Sequence, residues 1–235
     1  NVTVYELPGN VVILTNDSVT IVWTGSCYLV TVDSGLLDSG KLYDVRIILE
    51  KDHHVTGTVT ARIDVDEIPT AGAPSVSTIS VEWDQTISFN VTYIMGHNGT
   101  PIDGATVTYV VKSGDQSVYG PFGATPLGDG VYEITFNASD VGEGTYRIEV
   151  TLRKTHYVTK TYIVDLEILL IGTDASVQPA NATLYWSEDV VIRVDYVRHR
   201  DGVSLRAGEI NVTVYELPGN VVILTNDSVT IVWTG

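Results

Sequence analysis

The first 25 residues of this chain recur without change as its last 25 residues. Residues 211–235 repeat residues 1–25 letter for letter, as NVTVYELPGNVVILTNDSVTIVWTG, and this sets a period of 210 residues. An identical repeat of this length is typical of tandem arrays, in which each unit contacts mainly its neighbours. We therefore interpret the chain as a window onto a longer tandem repeat and expect neither end to be a natural terminus.

A second, weaker repeat lies within the period at a spacing of 103 residues. The segment LEKDHHVT at 49–56 matches LRKTHYVT at 152–159. Trp83 and the alternating run that follows it match Trp186 and its run at the same spacing. Each period is therefore expected to hold two related modules of slightly over 100 residues.

The spacing fixes the boundaries of these modules. Residues 71–172 are predicted to form a complete module A, and residues 173–235 to begin the next module B. Residues 1–70 are the C-terminal part of a module B, completed by the 173–210 segment of the preceding repeat. We prefer one continuous polypeptide over separate subunits that share half-modules. In shared half-modules, residues 1–25 and 211–235 would compete for one place.

The residue pattern predicts strand in nearly the whole chain and no helix. Runs such as 87–93 and 146–150 alternate between apolar and polar residues, and glycine-rich turns separate them. Seven short strands in about 100 residues indicate an all-β fold of tandem immunoglobulin-like antiparallel β-sandwich modules. The strands predicted for module A are 76–82, 86–95, 105–112, 117–120, 131–137, 144–153 and 157–168.

Two glycine–tyrosine segments carry a family resemblance. DGVY at 129–132 and GTYRI at 144–148 resemble the Ig-like tandem repeats of prokaryotic, including archaeal, surface proteins. In that family a Gly-x-Tyr pattern opens a late strand, and its tyrosine often caps the neighbouring corner of the sandwich. The resemblance implies this role for Tyr146, with Tyr43 as its counterpart in module B, one residue further from the glycine.

Composition narrows the classes of partner. The formal net charge of −16 argues against nucleic acid and anionic membrane surfaces. The 44% hydrophobic content is enough for packed cores, and no apolar run approaches a membrane span, so no direct membrane insertion is expected. Cys27 is the single cysteine, so a module cannot contain an internal disulfide. Cys27 is interpreted either as a link between neighbouring chains or as a small apolar position.

Asparagine usage is the strongest functional signal. One period contains seven asparagines, and six of them begin an Asn-x-Ser/Thr triplet, although the serine and threonine content predicts about one by chance. Such triplets accept N-linked glycans when they face solvent in an exported protein. The alternative is that asparagine and threonine simply suit turns and outer strand faces. The predicted N-glycosylation sites are Asn1, Asn16, Asn90, Asn98, Asn137, Asn181, Asn211 and Asn226.

No catalytic, cofactor or metal site is recognised in the sequence, and no enzyme activity is predicted. His53 and His156 occupy equivalent turn positions in the two modules, which favours a structural role. Acidic residues near the module ends could bind calcium, but their alternation is also that of an outer strand face. These residues are Asp64, Asp66, Glu67, Asp165 and Glu167. The only additional group expected is covalent glycan.

These features together predict a mechanical role. The chain is interpreted as a structural repeat of a long, glycosylated extracellular or cell-surface filament or stalk, whose partners are copies of itself along the array. The alternative is the stalk of a cell-surface adhesin whose binding head lies outside this fragment. The apolar run 168–171, between modules A and B, is expected to be buried between modules or against a neighbouring strand of the array. The alternative is an ordinary buried final strand that continues past the module. Trp83 and Trp186 are expected to pack in a core or at a junction.

Overall fold

The computed structural model describes residues 1–206, 211–216, 221–224 and 232. It confirms the predicted all-β fold of tandem immunoglobulin-like antiparallel sandwiches. The only helical elements among the described residues are three 3-10 turns of three residues each. No helix in the described part of the chain is long and apolar enough to cross a membrane.

Residues 1–65 form what we call the N-terminal unit. Its two antiparallel sheets have the strand orders β2-β1-β5-β6 and β3-β4. A small apolar core lies between them and includes Val2, Val4 and Val45. The strands are β1 (Val2–Leu7), β2 (Val11–Thr15), β3 (Val19–Trp23), β4 (Tyr28–Val32), β5 (Lys41–Leu49) and β6 (Gly57–Val65).

Residues 70–169 form a complete sandwich, which we call the central sandwich. Its strands are β7 (Thr70–Ala71), β8 (Thr78–Glu82), β9 (Thr86–Thr92), β10 (Ile94–Met95), β11 (Thr106–Ser113), β12 (Gln116–Gly123), β13 (Thr125–Gly128), β14 (Val131–Asn137), β15 (Gly144–Arg153) and β16 (Lys160–Leu169). One sheet has the order β12-β11-β15-β16-β8, and the other has the order β13-β14-β9. The edge strand β8 pairs with β16 in parallel, whereas the other pairs in these two sheets are antiparallel.

The core of the central sandwich follows from strict alternation along its strands. In β15, Ile148, Val150 and Leu152 are fully buried, and the residues between them are more exposed. Strand β14 contributes its own alternating set, such as Ile134, from the facing sheet. Because successive side chains of a strand point to opposite faces, each strand supplies half of its residues to one continuous core.

Tight turns with left-handed residues connect these strands. Asp129 and Gly130 have φ angles of 51° and 68° in the turn between β13 and β14. Two consecutive positive φ angles are typical of a type I′ hairpin, for which Asp-Gly is a favoured pair. A Cβ atom on Gly130 would lie 2.5 Å from the carbonyl oxygen of Tyr93, so this position also requires glycine for space.

The remaining described strands lie in two short hairpins. Residues 173–206, which we call the C-terminal unit, contain β17 (Thr173–Gln178) paired with β18 (Arg193–Arg198). Further along, β19 (Val214–Glu216) pairs with β20 (Val221–Leu224). This last hairpin repeats the register of β1 and β2, including the irregularity after the second valine, at a shift of 210 residues.

Candidate functional site

The 103-residue sequence repeat is also a repeat of main-chain pairing. Hydrogen bonds and strand pairs at the start of the central sandwich recur in the C-terminal unit with every residue number raised by 103. The two units therefore begin with the same local structure. The corresponding pairs are Met95–Thr100 with Arg198–Val203, Ile102–Tyr93 with Leu205–Tyr196, Gly96–Pro69 with His199–Gly172, and Thr70–Met95 with Thr173–Arg198.

The N-terminal unit corresponds to the other part of the central sandwich. Its sheet β2-β1-β5-β6 has the same order as β12-β11-β15-β16, and its pair β3-β4 has the same order as β13-β14. The register agrees as well: Tyr43 pairs with Ile63 as Tyr146 pairs with Leu166, again at a shift of 103. Among the described residues, the N-terminal unit has no counterpart of β8 or β9.

Apolar positions that the central sandwich buries are exposed in the C-terminal unit. Phe89 and Val91 of β9 are 5% and 0% exposed. Their counterparts 103 residues later, Ile192 and Val194, are 56% and 60% exposed. The C-terminal unit therefore presents an apolar strand face that no described residue covers.

The N-terminal unit has a matching uncovered face. Tyr132 of β14 is 2% exposed, and its counterpart Tyr28 in β4 is 57% exposed. Leu152 of β15 is fully buried, whereas its counterpart Leu49 in β5 is 42% exposed. Both exposed side chains occupy positions that face the core in the complete sandwich.

Two segments of the C-terminal unit lack the strand structure of their counterparts. Strand β8 spans 78–82, but the equivalent residues 181–185 form no strand. Strand β9 begins at residue 86, whereas β18 begins at residue 193, four positions later than the equivalent 189. In the central sandwich these segments pair with β16 and β14. The C-terminal unit contains neither partner, because both belong to the other part of a module.

Both predicted tyrosine corners are present. The Tyr43 hydroxyl accepts a hydrogen bond from the N–H of Asp38 at 2.9 Å and donates one to the Asp38 carbonyl at 3.1 Å. The Tyr146 hydroxyl donates to the carbonyl of Glu143 at 3.0 Å. Tyr43 is buried and Tyr146 is half-buried, so the corner of module B is the more complete of the two.

Main-chain hydrogen bonds attach the linker between the N-terminal unit and the central sandwich to the central sandwich. The N–H of Ile68 donates to the carbonyl of His156 at 2.8 Å, and the N–H of Val158 donates to the carbonyl of Ile68 at 3.1 Å. The buried Thr70 hydroxyl donates to the carbonyl of Val158 at 2.7 Å. This junction therefore docks the linker against the turn between β15 and β16.

The conformation of the turn between β15 and β16, and of its counterpart between β5 and β6, accounts for the histidine that occurs in each. His53 and His156 have φ angles of 62° and 68°, so both adopt the left-handed conformation at equivalent positions of their turns. Histidine is one of the few non-glycine residues enriched there. Their predicted equivalent turn positions are confirmed, and the shared left-handed conformation supports a structural role. This turn also delays β16, which begins at Lys160 rather than at the predicted residue 157.

Ion pairs hold the junction between the central sandwich and the C-terminal unit. Arg200 contacts Glu82 at 2.7 Å and Asp84 at 2.7 Å, and Arg198 contacts Asp84 at 2.8 Å. The Gly172 N–H also donates to Glu82 at 3.1 Å. The hydrogen bond from Arg200 holds the pKa of the Asp84 carboxyl below its usual value, against an opposing effect of burial.

The apolar residues predicted at this junction behave differently from one another. Ile168 is buried and Ile171 is half-buried, but Leu169 and Leu170 are exposed in this chain. Within the single chain the run is therefore not buried throughout, because Leu169 occupies an outward position of β16 and Leu170 follows the strand; burial in the assembled array stays a prediction. Trp83 lines a shallow groove at the junction, whereas Trp186 is 96% exposed.

The predicted glycan acceptors lie mostly on the surface. Among the described residues, Asn90 is half-buried in β9 and the others are exposed, namely Asn1, Asn16, Asn98, Asn137, Asn181 and Asn211. Asn226 lies outside the described residues. No contact in the structure tests whether any of these asparagines carries a glycan.

Three of these asparagines are held by their own amide oxygen. Oδ1 of Asn16 accepts from the N–H of Val2, Oδ1 of Asn98 accepts from the N–H of Thr100 at 3.0 Å, and Oδ1 of Asn137 accepts from the Thr86 hydroxyl at 3.1 Å. Each of these bonds uses the oxygen rather than Nδ2, the atom to which a glycan would be attached. These bonds fix the orientation of the three side chains and do not use Nδ2, the nitrogen that would carry the glycan.

The other candidate residues are not brought together. Asp64 of β6 and the acidic residues of β16, Asp165 and Glu167, lie on the outer faces of their strands, whereas Asp66 and Glu67 follow β6 and are exposed. Within the described ranges, no group of three or more metal-binding side chains occurs. Cys27 is exposed in the turn before β4, with its Sγ 3.2 Å from the hydroxyl of Thr24.

Comparison with known proteins gives only distant similarities. No family model matches the chain, and no curated protein matches it. Domains 4 and 5 of the S-layer protein SbsC are 19% identical over 72% of this chain and 70% of that chain, with a TM-score of 0.34. A chimeric titin Z1Z2 tandem is 15% identical over 72% of this chain and 84% of that chain, with a TM-score of 0.30.

Two longer proteins match over a small share of their length. This chain covers 25% of a structure of SbsC domains 1–6, at 16% identity and a TM-score of 0.34. It covers 20% of an endo-β-1,4-mannanase from Thermotoga petrophila, at 13% identity and a TM-score of 0.32. All of these TM-scores lie below 0.5, so no functional conclusion depends on them.

Proposed function

We propose that this chain is a segment of a long, glycosylated extracellular or cell-surface filament or stalk built from alternating immunoglobulin-like modules, and that its role is mechanical. The observation that carries the proposal is the double repeat. Identical residues recur after 210 positions, and the same hydrogen-bond pattern recurs after 103 positions. A chain with this pattern extends by adding units that fold locally and contact mainly their neighbours.

The dimensions of the modules suit a filament. The longest strands of the central sandwich, β15 and β16, have ten residues each. At about 3.4 Å per residue, such a strand is roughly 34 Å long. Two modules per period then give a repeat of about 70 Å along the filament. Each added period therefore lengthens the filament by the same amount.

Both junctions favour a stiff connection over a free hinge. At one junction, Ile68 takes part in two main-chain hydrogen bonds with the turn that contains His156. At the other, Arg198 and Arg200 bind the acidic turn that follows β8. The second connection restrains the adjoining units through several side-chain contacts. The first anchors the linker to the central sandwich, and His156 Nδ1 lies 3.2 Å from the Ser39 hydroxyl of the N-terminal unit. A filament built this way would transmit tension with little bending at its joints.

The proposed glycans and the acidic charge would protect the exposed sheet edges. An unpaired strand edge can template pairing with another chain, and bulky or charged surface groups oppose this. In the central sandwich, Asn90 lies on β9 and Asn137 lies at the end of β14, in the three-stranded sheet whose edge strands are β13 and β9. Glycans at these sites would separate neighbouring filaments without entering the core.

Imaging of native material tests the array. We expect an unbranched filament whose beads alternate in shape, with a repeat of about 70 Å for each pair of beads. Discrete particles the size of one 210-residue period, with no continuation at either end, would refute the proposal. Filaments of identical beads would contradict the alternation of modules A and B.

Peptide mapping of the native protein tests the glycans. We expect glycopeptides at Asn98 and Asn137, and none at Asn10. Asn10 is a matched control, because it is exposed in a turn but does not begin an Asn-x-Ser/Thr triplet. Unmodified peptides at all six triplets of a period would show that these asparagines merely suit turns and outer strand faces.

A further inference from the structure

We infer that the N-terminal and C-terminal units are complementary parts of one sandwich, and that the C-terminal unit of one copy of this chain docks on the N-terminal unit of a second copy. The inference rests on the proposed function, since it names the partner of each uncovered face. It also goes further, because it predicts association of the 235-residue chain in solution with a defined strand register.

The strands missing from one unit are those that the other unit supplies. The N-terminal unit contains the counterparts of β11 to β16 but not those of β8 and β9. In the C-terminal unit, β17 and β18 repeat the pairing of β7 with β10. The segment that connects β17 to β18 contains the equivalent of β8 and the start of the equivalent of β9. Together the two units contain the complete strand set of the central sandwich, with none used twice.

The pairing of β14 with β9 in the central sandwich defines how β4 would pair with β18 once β18 is lengthened to begin at residue 189. In the central sandwich, Ile134 pairs with Phe89 and Tyr132 pairs with Val91, in antiparallel strands. The equivalent partners across two copies are Val30 with Ile192, and Tyr28 with Val194. All four side chains then face the core, as their counterparts do. The exposed apolar face of each unit would thus be covered by the other.

The parallel edge of the sheet gives a second set of partners. In the central sandwich, Ile168 of β16 pairs with Val81 of β8. The equivalent pair across two copies is Val65 of β6 with Leu184. Residues 181–185, which form no strand in the isolated chain, would become the missing edge strand. Asn181 would then occupy the place of the exposed Thr78 and would keep its predicted glycan in solvent.

Hydrogen bonds of the central sandwich also have equivalents across two copies. The Tyr132 hydroxyl donates to the carbonyl of Ile102 at 2.8 Å, so the Tyr28 hydroxyl would donate to the carbonyl of Leu205. Val158 donates its N–H to Ile68, so Val55 would donate to Ile171. Val55 is 97% exposed in this chain, which agrees with a turn whose docking segment lies on another copy.

The partner is a second copy because the two units attach to opposite ends of the central sandwich. Ile68 docks next to the start of β16, and Gly172 follows the end of the same strand. The ten residues of β16 separate these points by roughly 34 Å. One chain therefore places its two units apart, and two chains can join them head to tail. Head-to-tail contacts of this kind build open chains, or rings where the rotation between copies closes.

A duplicated segment opposes this association. Residues 211–235 follow the C-terminal unit and are identical to residues 1–25 of the N-terminal unit, including the hairpin register. In a head-to-tail pair, only one copy of this segment can occupy the sandwich, and the other is displaced. A chain ending at residue 210 should therefore associate at a lower protein concentration than the 235-residue chain.

Engineered disulfides test the register in the 235-residue chain with Cys27→Ser. In the central sandwich, the outward side chains of Thr135 and Ser88 lie opposite each other, with their hydroxyl oxygens 3.3 Å apart. The equivalent pair across two copies is Thr31 and Val191, both exposed, so Thr31→Cys with Val191→Cys should not disturb folding. We expect mild oxidation to give a ladder of disulfide-linked multimers.

A neighbouring pair provides the matched control. Thr31→Cys with Ile192→Cys differs by one residue, which turns the second side chain to the opposite face of its strand. The inference predicts no ladder for this control and dissociation of the ladder on reduction. Equal yields for the two pairs, no multimers, or a disulfide confined to one chain would overturn it. So would a 210-residue chain that associates less readily than the 235-residue chain in sedimentation velocity.

A lengthened chain separates this inference from the proposed function. In a chain with one added period, cysteines at Val191 of the first period and Thr31 of the second lie within a single module B. We expect an intrachain disulfide there. If that disulfide forms while the 235-residue chain gives no multimers, the association between copies is refuted and the array remains supported.

Discussion

Lengthening the chain by one period gives a quantitative test of the proposed array. The added 210 residues contain another module A and allow residues 173–210 and the following copy of residues 1–70 to form a complete module B. Globular domains unfold with an enthalpy of about 0.7 kcal/mol per residue near 60 °C. On this scale, the 102 residues of module A correspond to about 70 kcal/mol, and the 108 residues of module B to about 75 kcal/mol.

Differential scanning calorimetry of the two chains in the same buffer measures the difference. We expect the lengthened chain to unfold with about 145 kcal/mol more enthalpy than the 235-residue chain, because both added modules fold. An increase of no more than about 120 kcal/mol would mean that module A folds and that the added copy of residues 1–70, worth about 50 kcal/mol on this scale, folds only as a separate N-terminal unit. That result would refute the completion of module B by residues of successive periods.

Two substitutions in the lengthened chain show whether the predicted register is responsible. Ile192 corresponds to the buried Phe89, and Val191 corresponds to the exposed Ser88. Burying an unpaired carboxylate is strongly unfavourable, so Ile192→Asp should prevent module B from closing. The enthalpy increment should then fall to about 120 kcal/mol or less, whereas Val191→Asp should leave it near 145 kcal/mol. The same increment in both variants would contradict the assignment of these two faces.

Three further outcomes are expected. Tyr132→Phe leaves the buried carbonyl of Ile102 unpaired and should cost about 2 kcal/mol, or roughly 10 °C in Tm, whereas Tyr146→Phe in the same sandwich should cost less than about 1 kcal/mol. Equal shifts in thermal unfolding would refute this ranking. Because the pKa of Asp84 is lowered, its stabilising contact with Arg200 is present above the unfolded-state pKa of about 4 and is lost as the pH falls through the folded value. The amide protection factors of the 198–203 turn, which correct for the slower intrinsic exchange in acid, should therefore fall as the pH is lowered, and Arg200→Ala should weaken that dependence. Addition of a chelator should leave the Tm unchanged, and a fall of several degrees would indicate a bound cation.

Alternation predicted the strands of the central sandwich well where it was strict. The predicted bounds 131–137 and 144–153 are those of β14 and β15, because each strand buries every second residue. Strand β13 was not predicted, since Pro126 and Gly128 are unfavourable in strands. It forms nevertheless as an edge strand, where such residues are tolerated.

The ion-paired junction could not be predicted from the sequence. Arg198 and Arg200 are more than 110 residues from Glu82 and Asp84, and charges carry no periodic signal that would pair them. The 103-residue repeat did not help either, because the counterpart of Asp84 is Ser187. Which charges meet depends on how the two turns are placed, and only the folded chain brings them together.

The glycan acceptors were predictable only in part. The triplets are visible in the sequence, and their placement in turns or on outward strand positions agrees with exposure for all the described sites except the half-buried Asn90. Whether a glycan is attached also depends on an enzyme that reads the local chain. That step has no signature in the packing of these residues, so it remains a prediction.

The two modules share a strand order but fill it with side chains of different size. In the central sandwich, the rings of Tyr109 and Phe136 stack 5.6 Å apart. The corresponding places in the N-terminal unit hold Val2 and Val32, so a strand from one module would leave a void or a clash in the other. Along the proposed array every module has unlike neighbours, and the nearest match lies a full period away. As the polypeptide leaves the ribosome, each bead can then close before an interchangeable strand has been synthesised, which protects the growing fibre from exchange between adjacent beads.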